Sequence, residues 1–95
     1  MFIVLLKFSV NKANASEYMA EHNNWIKQGF DEGIFLLVGS IESGKGGSII
    51  AHNISMSELE KKVNEDPFVE KNVVNAEILE ISPKKLDERL NFLSS

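Results

Sequence analysis

The first strand-like segment of the chain restricts the possible folds more than any other feature. Residues 2–8 read Phe-Ile-Val-Leu-Leu-Lys-Phe, so apolar side chains occur at both odd and even positions. Successive side chains of a strand point to opposite faces of a sheet, and both faces of this strand must therefore be covered. The segment is predicted to be a central strand with protein packed on each side.

Hydrophobic periodicity predicts a mixed order of strands and helices along the rest of the chain. The predicted elements are a strand over 2–8, a helix over about 16–32, strands over 34–40 and 47–53, a helix over about 55–65, a strand over 75–81 and a C-terminal helix over about 84–93. Apart from the last helix, this is the βαββαβ order of a ferredoxin-like α+β fold with a four-stranded antiparallel sheet. Right-handed crossovers place both main helices on one face of the sheet.

Local signals set the predicted ends of the helices. Ser16 is a candidate N-cap for the first helix, and Gly33 is well placed to end it. Ser55 and Glu58 match a capping box at the start of the second helix, and Pro67 ends it.

The length of 95 residues fits a single domain, with a core over about 1–83 and the C-terminal helix beyond it. In this fold the helices cover only one face of the sheet, yet the first three strands are apolar at both parities. A second copy of the chain is the simplest cover for the other face. The sequence therefore predicts a homodimer whose sheets pack face to face, known as a dimeric α+β barrel.

Composition excludes several classes of function. The chain has no cysteine, which excludes disulfides, thiolate nucleophiles and cysteine-rich metal sites, and we expect a cytoplasmic protein. The net charge is −4 and the lysines are scattered, so we expect no nucleic-acid partner. The longest apolar runs are too short to span a bilayer, and we expect no membrane association.

Two residues stand out as candidates for acid–base chemistry. His22 lies between Met19 and Ile26 in the apolar stripe of the first predicted helix, where an imidazole would be partly desolvated. Asp66 precedes Pro67, which favours an extended backbone and would turn the carboxylate inward. The structural alternatives are a core histidine bonded to a backbone carbonyl and an aspartate that only terminates a helix.

Other motifs carry weaker signals. Residues 39–45 match the spacing of a phosphate-binding loop, but Gly46 replaces the expected Ser or Thr and a strand follows, so a hairpin loop is favoured. The third strand lacks the stacking aromatic residues of an RNA-binding module. His52 has no partner at a metal-ligand spacing, so we expect neither a metal nor a cofactor.

Three segments resemble motifs of the YCII-related (YciI-like) family of dimeric α+β barrel proteins. They are His22-Asn23-Asn24-Trp25, then Asp31-Glu32-Gly33 followed by Phe35-Leu36-Leu37-Val38-Gly39, and finally Asp66-Pro67-Phe68-Val69. The likeness spans about residues 1–83. The resemblance implies a cytoplasmic homodimer with an active site centred on His22 and Asp66. It also brings Trp25, Gly39 and Phe68 forward as substrate-binding residues. Ser40 and Asn72 stand where the family commonly has Pro and Gly.

The resulting hypothesis is an enzyme in which Asp66 orients His22 as a general base toward a small organic substrate, in an isomerisation or a lyase-type elimination. Ser40, Ser48 and the backbone amides of the glycine loop, Gly44, Gly46 and Gly47, are candidate donors to a developing oxyanion. A noncatalytic ligand-binding or regulatory dimer remains the alternative. A docking role for the stripe Leu86, Leu90 and Leu93 is a third interpretation.

Overall fold

A computed structural model describes residues 1–94 of the protein, and Ser95 lies outside the described residues. The elements are β1 (Phe2–Phe8), α1 (Ala15–Asp31), β2 (Phe35–Ile41), β3 (Gly46–Ala51), α2 (Met56–Asn64), α3 (Pro67–Glu70) and β4 (Val74–Glu80), with 3-10 turns at Lys12–Asn14 and Glu88–Leu93. The four strands form one antiparallel sheet in the order β2-β3-β1-β4. The predicted α+β, ferredoxin-like architecture is confirmed, with β1 in the interior of the sheet.

The helix ends agree with the sequence signals in all but one case. The Ser55 hydroxyl accepts the Glu58 N–H at 3.2 Å and caps α2. Gly33 follows α1 with a φ of +75°, which glycine adopts without strain. The prediction for Ser16 is wrong: a 3-10 turn runs directly into α1, so Asn14 occupies the N-cap position and makes no side-chain cap bond.

The core lies between one face of the sheet and the helices. Alternate residues of β1, namely Phe2, Val4 and Leu6, are buried there. They pack with residues from every other main element, including Trp25, Phe35, Ile49, Ala51, Leu59, Val63, Phe68, Val73 and Val74. This face of the sheet is the floor on which the candidate site is built.

The opposite face of the sheet carries no main helix and is partly apolar. Register places Leu37, Ile50, Ile3 and Leu79 in one cross-strand row on that face. Leu37 and Leu79 are 49% and 43% exposed within the single chain. The next row contains Ser48, so β3 is less apolar on this face than the sequence pattern indicated.

The C-terminal element differs from the predicted α-helix. It consists of two short 3-10 turns over Glu88–Leu93 with a kink at Leu90, and it begins where the Asp87 carboxylate accepts the Arg89 N–H at 2.9 Å. Leu86 precedes these turns, so the expected i, i+4, i+7 stripe does not form on one helix. Leu86, Leu90 and Leu93 instead border a groove beside Leu36, Leu37 and Ile50 of the chain's own sheet. Over residues 1–94, no helix has the length and apolar character needed to cross a membrane.

Candidate active site

The two residues singled out for acid–base chemistry lie side by side. Nδ1 of His22 on α1 donates a hydrogen bond to Oδ1 of Asp66, at 2.7 Å, across 44 positions of sequence. A carboxylate oxygen is an acceptor only, so this bond places a proton on Nδ1. In the neutral ring, Nε2 then carries the free lone pair.

Pro67 explains why the Asp66 carboxylate points inward. Asp66 has φ −63° and ψ 122°, the extended geometry that a following proline favours, and α3 begins at Pro67. Asp66 is fully buried, and its Oδ1 also accepts the Phe68 N–H at 3.1 Å. Asp66 therefore caps a helix, as the structural alternative proposed, and also holds the histidine, whose Nδ1 is bonded to this carboxylate and not to a backbone carbonyl.

Aromatic rings fix the plane of the His22 imidazole. The Phe68 ring stacks on it, with centroids 3.9 Å apart and planes inclined by 3°. Trp25 lies one helical turn further on, at 6.1 Å, and its indole N–H donates to the Lys62 carbonyl oxygen at 2.9 Å. Only 12% of the His22 side chain is exposed. The ring is thus held by packing as well as by its bond to Asp66.

His22 borders an open cavity of about 310 Å³ between the sheet and α1. Apolar side chains dominate its wall: Leu6, Phe8, Met19, Ile26, Val38, Ile49 and Phe68. The other lining residues are His22, Asn23, Gly39, Ser40, Gly46, Gly47 and Ser48. His22 is the one titratable side chain in this set, so the cavity suits a small ligand without a large charge.

Four of the five predicted substrate-binding residues border the cavity, and the fifth lies in the core. Gly39, Ser40, Ser48 and Phe68 border the cavity. Trp25 is only 5% exposed and packs in the core against the rings of His22 and Phe35. We therefore expect Trp25 to position His22 and not to contact a ligand.

The two serines point to opposite faces of the sheet. Ser40 pairs with Gly47 in a row that includes Leu6 and faces the helices, so its hydroxyl lies on the cavity side. Ser48 pairs with Leu5 and Gly39 in the next row, which faces away. Ser48 therefore reaches the cavity through its main chain, and Ser40 supplies the hydroxyl.

The amides of Gly46 and Gly47, two of the candidate oxyanion donors, belong to a strand, whereas Gly44 lies in the turn before it. Gly46 and Gly47 belong to β3, which is paired with β2 on one side and β1 on the other. N–H groups of a strand flanked on both sides are used in the sheet ladder. Residues 42–45 form the turn of a β-hairpin, which confirms the hairpin interpretation of this loop.

Sequence reasoning missed Asn23 as a cavity residue. Asn23 follows His22 on α1, and the two residues are separated by about 100° around the helix, so both border a cavity at the helix edge. The signal was available as a polar side chain next to the candidate base. His52, by contrast, follows the far end of β3 and packs against Phe92, away from the Gly46 end of the strand.

Comparisons with known proteins show the fold but no family. No protein-family model and no curated protein matches the chain. Among solved structures, the chain is similar to 5-chloro-2-hydroxyhydroquinone dehydrochlorinase from Burkholderia phenoliruptrix, determined in complex with 2,5-dihydroxybenzoquinone. The TM-score is 0.70 at 13% sequence identity, and the match covers 94% of this chain and 98% of that one. The two chains therefore share a fold over nearly their whole lengths.

Proposed function

We propose that the protein is a small-molecule enzyme that uses His22 as general base and acid, with Asp66 as its orienting partner. The observation that carries the proposal is the 2.7 Å bond from His22 Nδ1 to the buried Asp66 carboxylate, on a histidine that borders an open cavity. Such a pair fixes the tautomer and leaves Nε2 for proton transfer. The reaction class is elimination or isomerisation of a small cyclic or aromatic carbonyl compound.

The proposed elimination begins with proton abstraction. His22 Nε2 removes a proton from a carbon adjacent to a carbonyl, which a hydroxyhydroquinone ring presents in its diketo tautomer, and the electron pair of the broken C–H bond moves onto the carbonyl oxygen. The imidazolium that forms is stabilised by the Asp66 carboxylate. Ser40 faces the cavity and is the proposed donor to the developing enolate oxygen.

The second half of the reaction restores the carbonyl. The electron pair returns, a double bond forms to the neighbouring carbon, and that carbon releases its leaving group as an anion. His22 then transfers its proton to the leaving group or to solvent, so that one molecule of acid is lost in total. In the isomerisation, the proton returns to a different carbon of the same molecule.

The structural neighbour indicates which substrates to examine first. By its name, that enzyme removes hydrogen chloride from a chlorinated hydroxyhydroquinone, and its structure holds a dihydroxybenzoquinone. The cavity here is largely apolar and contains a few hydrogen-bonding side chains, which suits a hydroxylated ring of this size. We propose chlorinated or hydroxylated rings as the substrate class.

The test is chloride release from 5-chloro-2-hydroxyhydroquinone by the native protein and by the variants His22→Gln and Asp66→Asn. Because positioned proton transfer contributes about 10²–10⁴ in rate, His22→Gln should lower kcat by that factor. Glu21→Gln is the matched control, since it makes the same carboxylate-to-amide change as Asp66→Asn at an exposed position one residue before His22. Circular dichroism checks that each variant is folded.

The outcomes separate the two main interpretations. Equal chloride release by the native protein and His22→Gln would refute the catalytic role of His22. Native protein that binds 2,5-dihydroxybenzoquinone but turns over no member of a chlorinated hydroquinone panel would refute the proposed reaction and support the ligand-binding module.

We further propose that the protein acts as a homodimer through the sheet face that carries the row Leu37, Ile50, Ile3 and Leu79. An apolar row across all four strands with two well-exposed leucines is typical of a surface buried by a partner. Sedimentation should show a dimer for the native chain and for Val10→Asp, whose site is 85% exposed in a turn. Leu37→Asp should be monomeric, and a monomeric native chain would refute the proposal.

A further inference from the structure

Gly46 and Gly47 are adjacent in β3, but the fold requires only the first of them to be glycine. Gly46 has a φ of +138°, and a Cβ at this position would overlap the Leu6 carbonyl oxygen. Gly47 has no such constraint: its nearest neighbour to an added Cβ is the Gly39 carbonyl oxygen, at 3.4 Å. The chain itself therefore leaves room for a Cβ atom at Gly47.

Register shows where that side chain would go. Gly47 lies in the row Ser40, Gly47, Leu6 and Ala76, on the side of the sheet that faces the helices. It borders both the 310 Å³ cavity and a smaller hollow of about 50 Å³ that shares His22 and Phe68 with it. Any side chain at this position would occupy the space between the strand and those two rings.

We propose that Gly47 is a specificity-determining residue, and that its missing side chain gives the cavity the depth to admit a ring-shaped substrate. The inference rests on the proposed function, which supplies the ring as the ligand. The ligand then lies against the main chain of Gly47, between its neighbours Leu6 and Ser40 in the same cross-strand row. The stacked rings of His22 and Phe68 border the same space.

A larger residue at position 47 would exclude the ligand sterically and would leave the His22–Asp66 pair in place. Neither the His22–Asp66 bond nor the bond from the Phe68 N–H to Asp66 involves β3. One methylene group changes the fit of a substrate in an apolar pocket by about 10-fold or more. Substitution should therefore weaken ring binding in the order of side-chain size.

The experiment measures binding of 2,5-dihydroxybenzoquinone to the native protein, Gly47→Ala and Gly47→Val by calorimetry. The affinity should fall in that order, by about tenfold or more for Gly47→Val. Ala76→Val is the matched control because Ala76 lies in the same row and on the same face, but on the other side of Leu6 and outside the cavity. Its affinity should equal that of the native protein.

The binding measurements distinguish failure of the role proposed for Gly47 from failure of the proposed function. Equal affinity of Gly47→Val and the native protein would overturn the role of Gly47 while leaving the proposed function intact. Absence of binding by the native protein would refute the ring ligand, and the role of Gly47 with it. If Gly47→Val fails to fold, Gly47→Ala decides, because its Cβ has ordinary clearance from the chain. Unchanged affinity in that folded variant would also overturn the proposal.

Discussion

Gly29 links the packing of α1 to the position of the His22–Asp66 pair, and replacing it by alanine tests that link. Gly29 is buried where α1 crosses β2. An added Cβ would lie 2.7 Å from Cγ of Phe35 and would overlap two further atoms of that ring. The Phe35 ring cannot move away freely, because Trp25 packs edge-on against it at 5.2 Å and Phe30 at 6.2 Å.

Two effects of opposite sign act on the stability of Gly29→Ala. Alanine is a better helix former than glycine by about 1 kcal/mol, which favours the variant. Overpacking a well-filled core costs about 1–3 kcal/mol, and overlap with a ring that is only 3% exposed belongs at the upper end of that range. We expect a net loss of about 2 kcal/mol in the free energy of unfolding. We also expect displacement of Trp25, which stacks beside His22.

Urea unfolding followed by circular dichroism measures this loss as a fall in the midpoint. The single tryptophan reports displacement near His22 through its fluorescence. Ala20→Gly, at an exposed position of the same helix, is the control and should lose about 1 kcal/mol from helix propensity alone. In Phe35→Leu the smaller side chain should make room, so the double variant should be more stable than the two single losses predict. A Gly29→Ala protein as stable as the native one, or additive losses, would refute the reasoning.

Three further predictions concern local hydrogen bonds. Ser55→Ala removes the acceptor of the Glu58 N–H and should cost about 1 kcal/mol in urea unfolding, with turnover unchanged. Asp66→Ala removes a buried acceptor used by two donors and should lower the free energy of unfolding by about 1–3 kcal/mol. Asp66→Asn keeps an acceptor oxygen and should lower it by less. Equal losses in the two variants would contradict these bonds. The side chain and N–H of Arg89 hold the pKa of the Asp87 carboxyl below its usual range. The Asp87 carboxylate therefore stabilises the fold at pH values above its unfolded-state pKa, and this stabilisation is lost as pH falls through its folded-state pKa. Carboxyl-carbon NMR should show that lowered pKa, and Arg89→Gln should raise it.

The sequence allowed the fold to be predicted because its strongest signals are local. The double-sided apolar pattern of Phe2–Phe8 indicated an interior strand, and β1 lies between β3 and β4. The capping box at Ser55 marked the start of α2. The effect of Pro67 on Asp66 gave the inward direction of the carboxylate. The partner of that carboxylate, 44 positions away, required the family resemblance, because no local pattern encodes so distant a contact.

The lining of the cavity was less predictable, and a register irregularity explains why. Between Phe35 and Leu37 the pairing of β2 with β3 shifts, so the alternation of β2 changes sides at that point. Ser40 consequently faces the helices together with Phe35 and Val38. Nothing in the local sequence marks this shift. The outward direction of Ser48, however, follows from simple alternation with the buried Ile49 and was open to prediction.

A single oxygen atom connects the local structure around Asp66 to the proposed chemistry. Oδ1 accepts the Phe68 N–H and the His22 Nδ1–H, so the cap of α3 and the orientation of the imidazole depend on the same acceptor. Phe68, whose N–H is bound there, stacks on the same imidazole. Asparagine caps helices as well as aspartate and retains an acceptor oxygen but carries no charge. The rate difference between the native protein and Asp66→Asn therefore measures how far the carboxylate charge stabilises the imidazolium, separately from its role in positioning the ring.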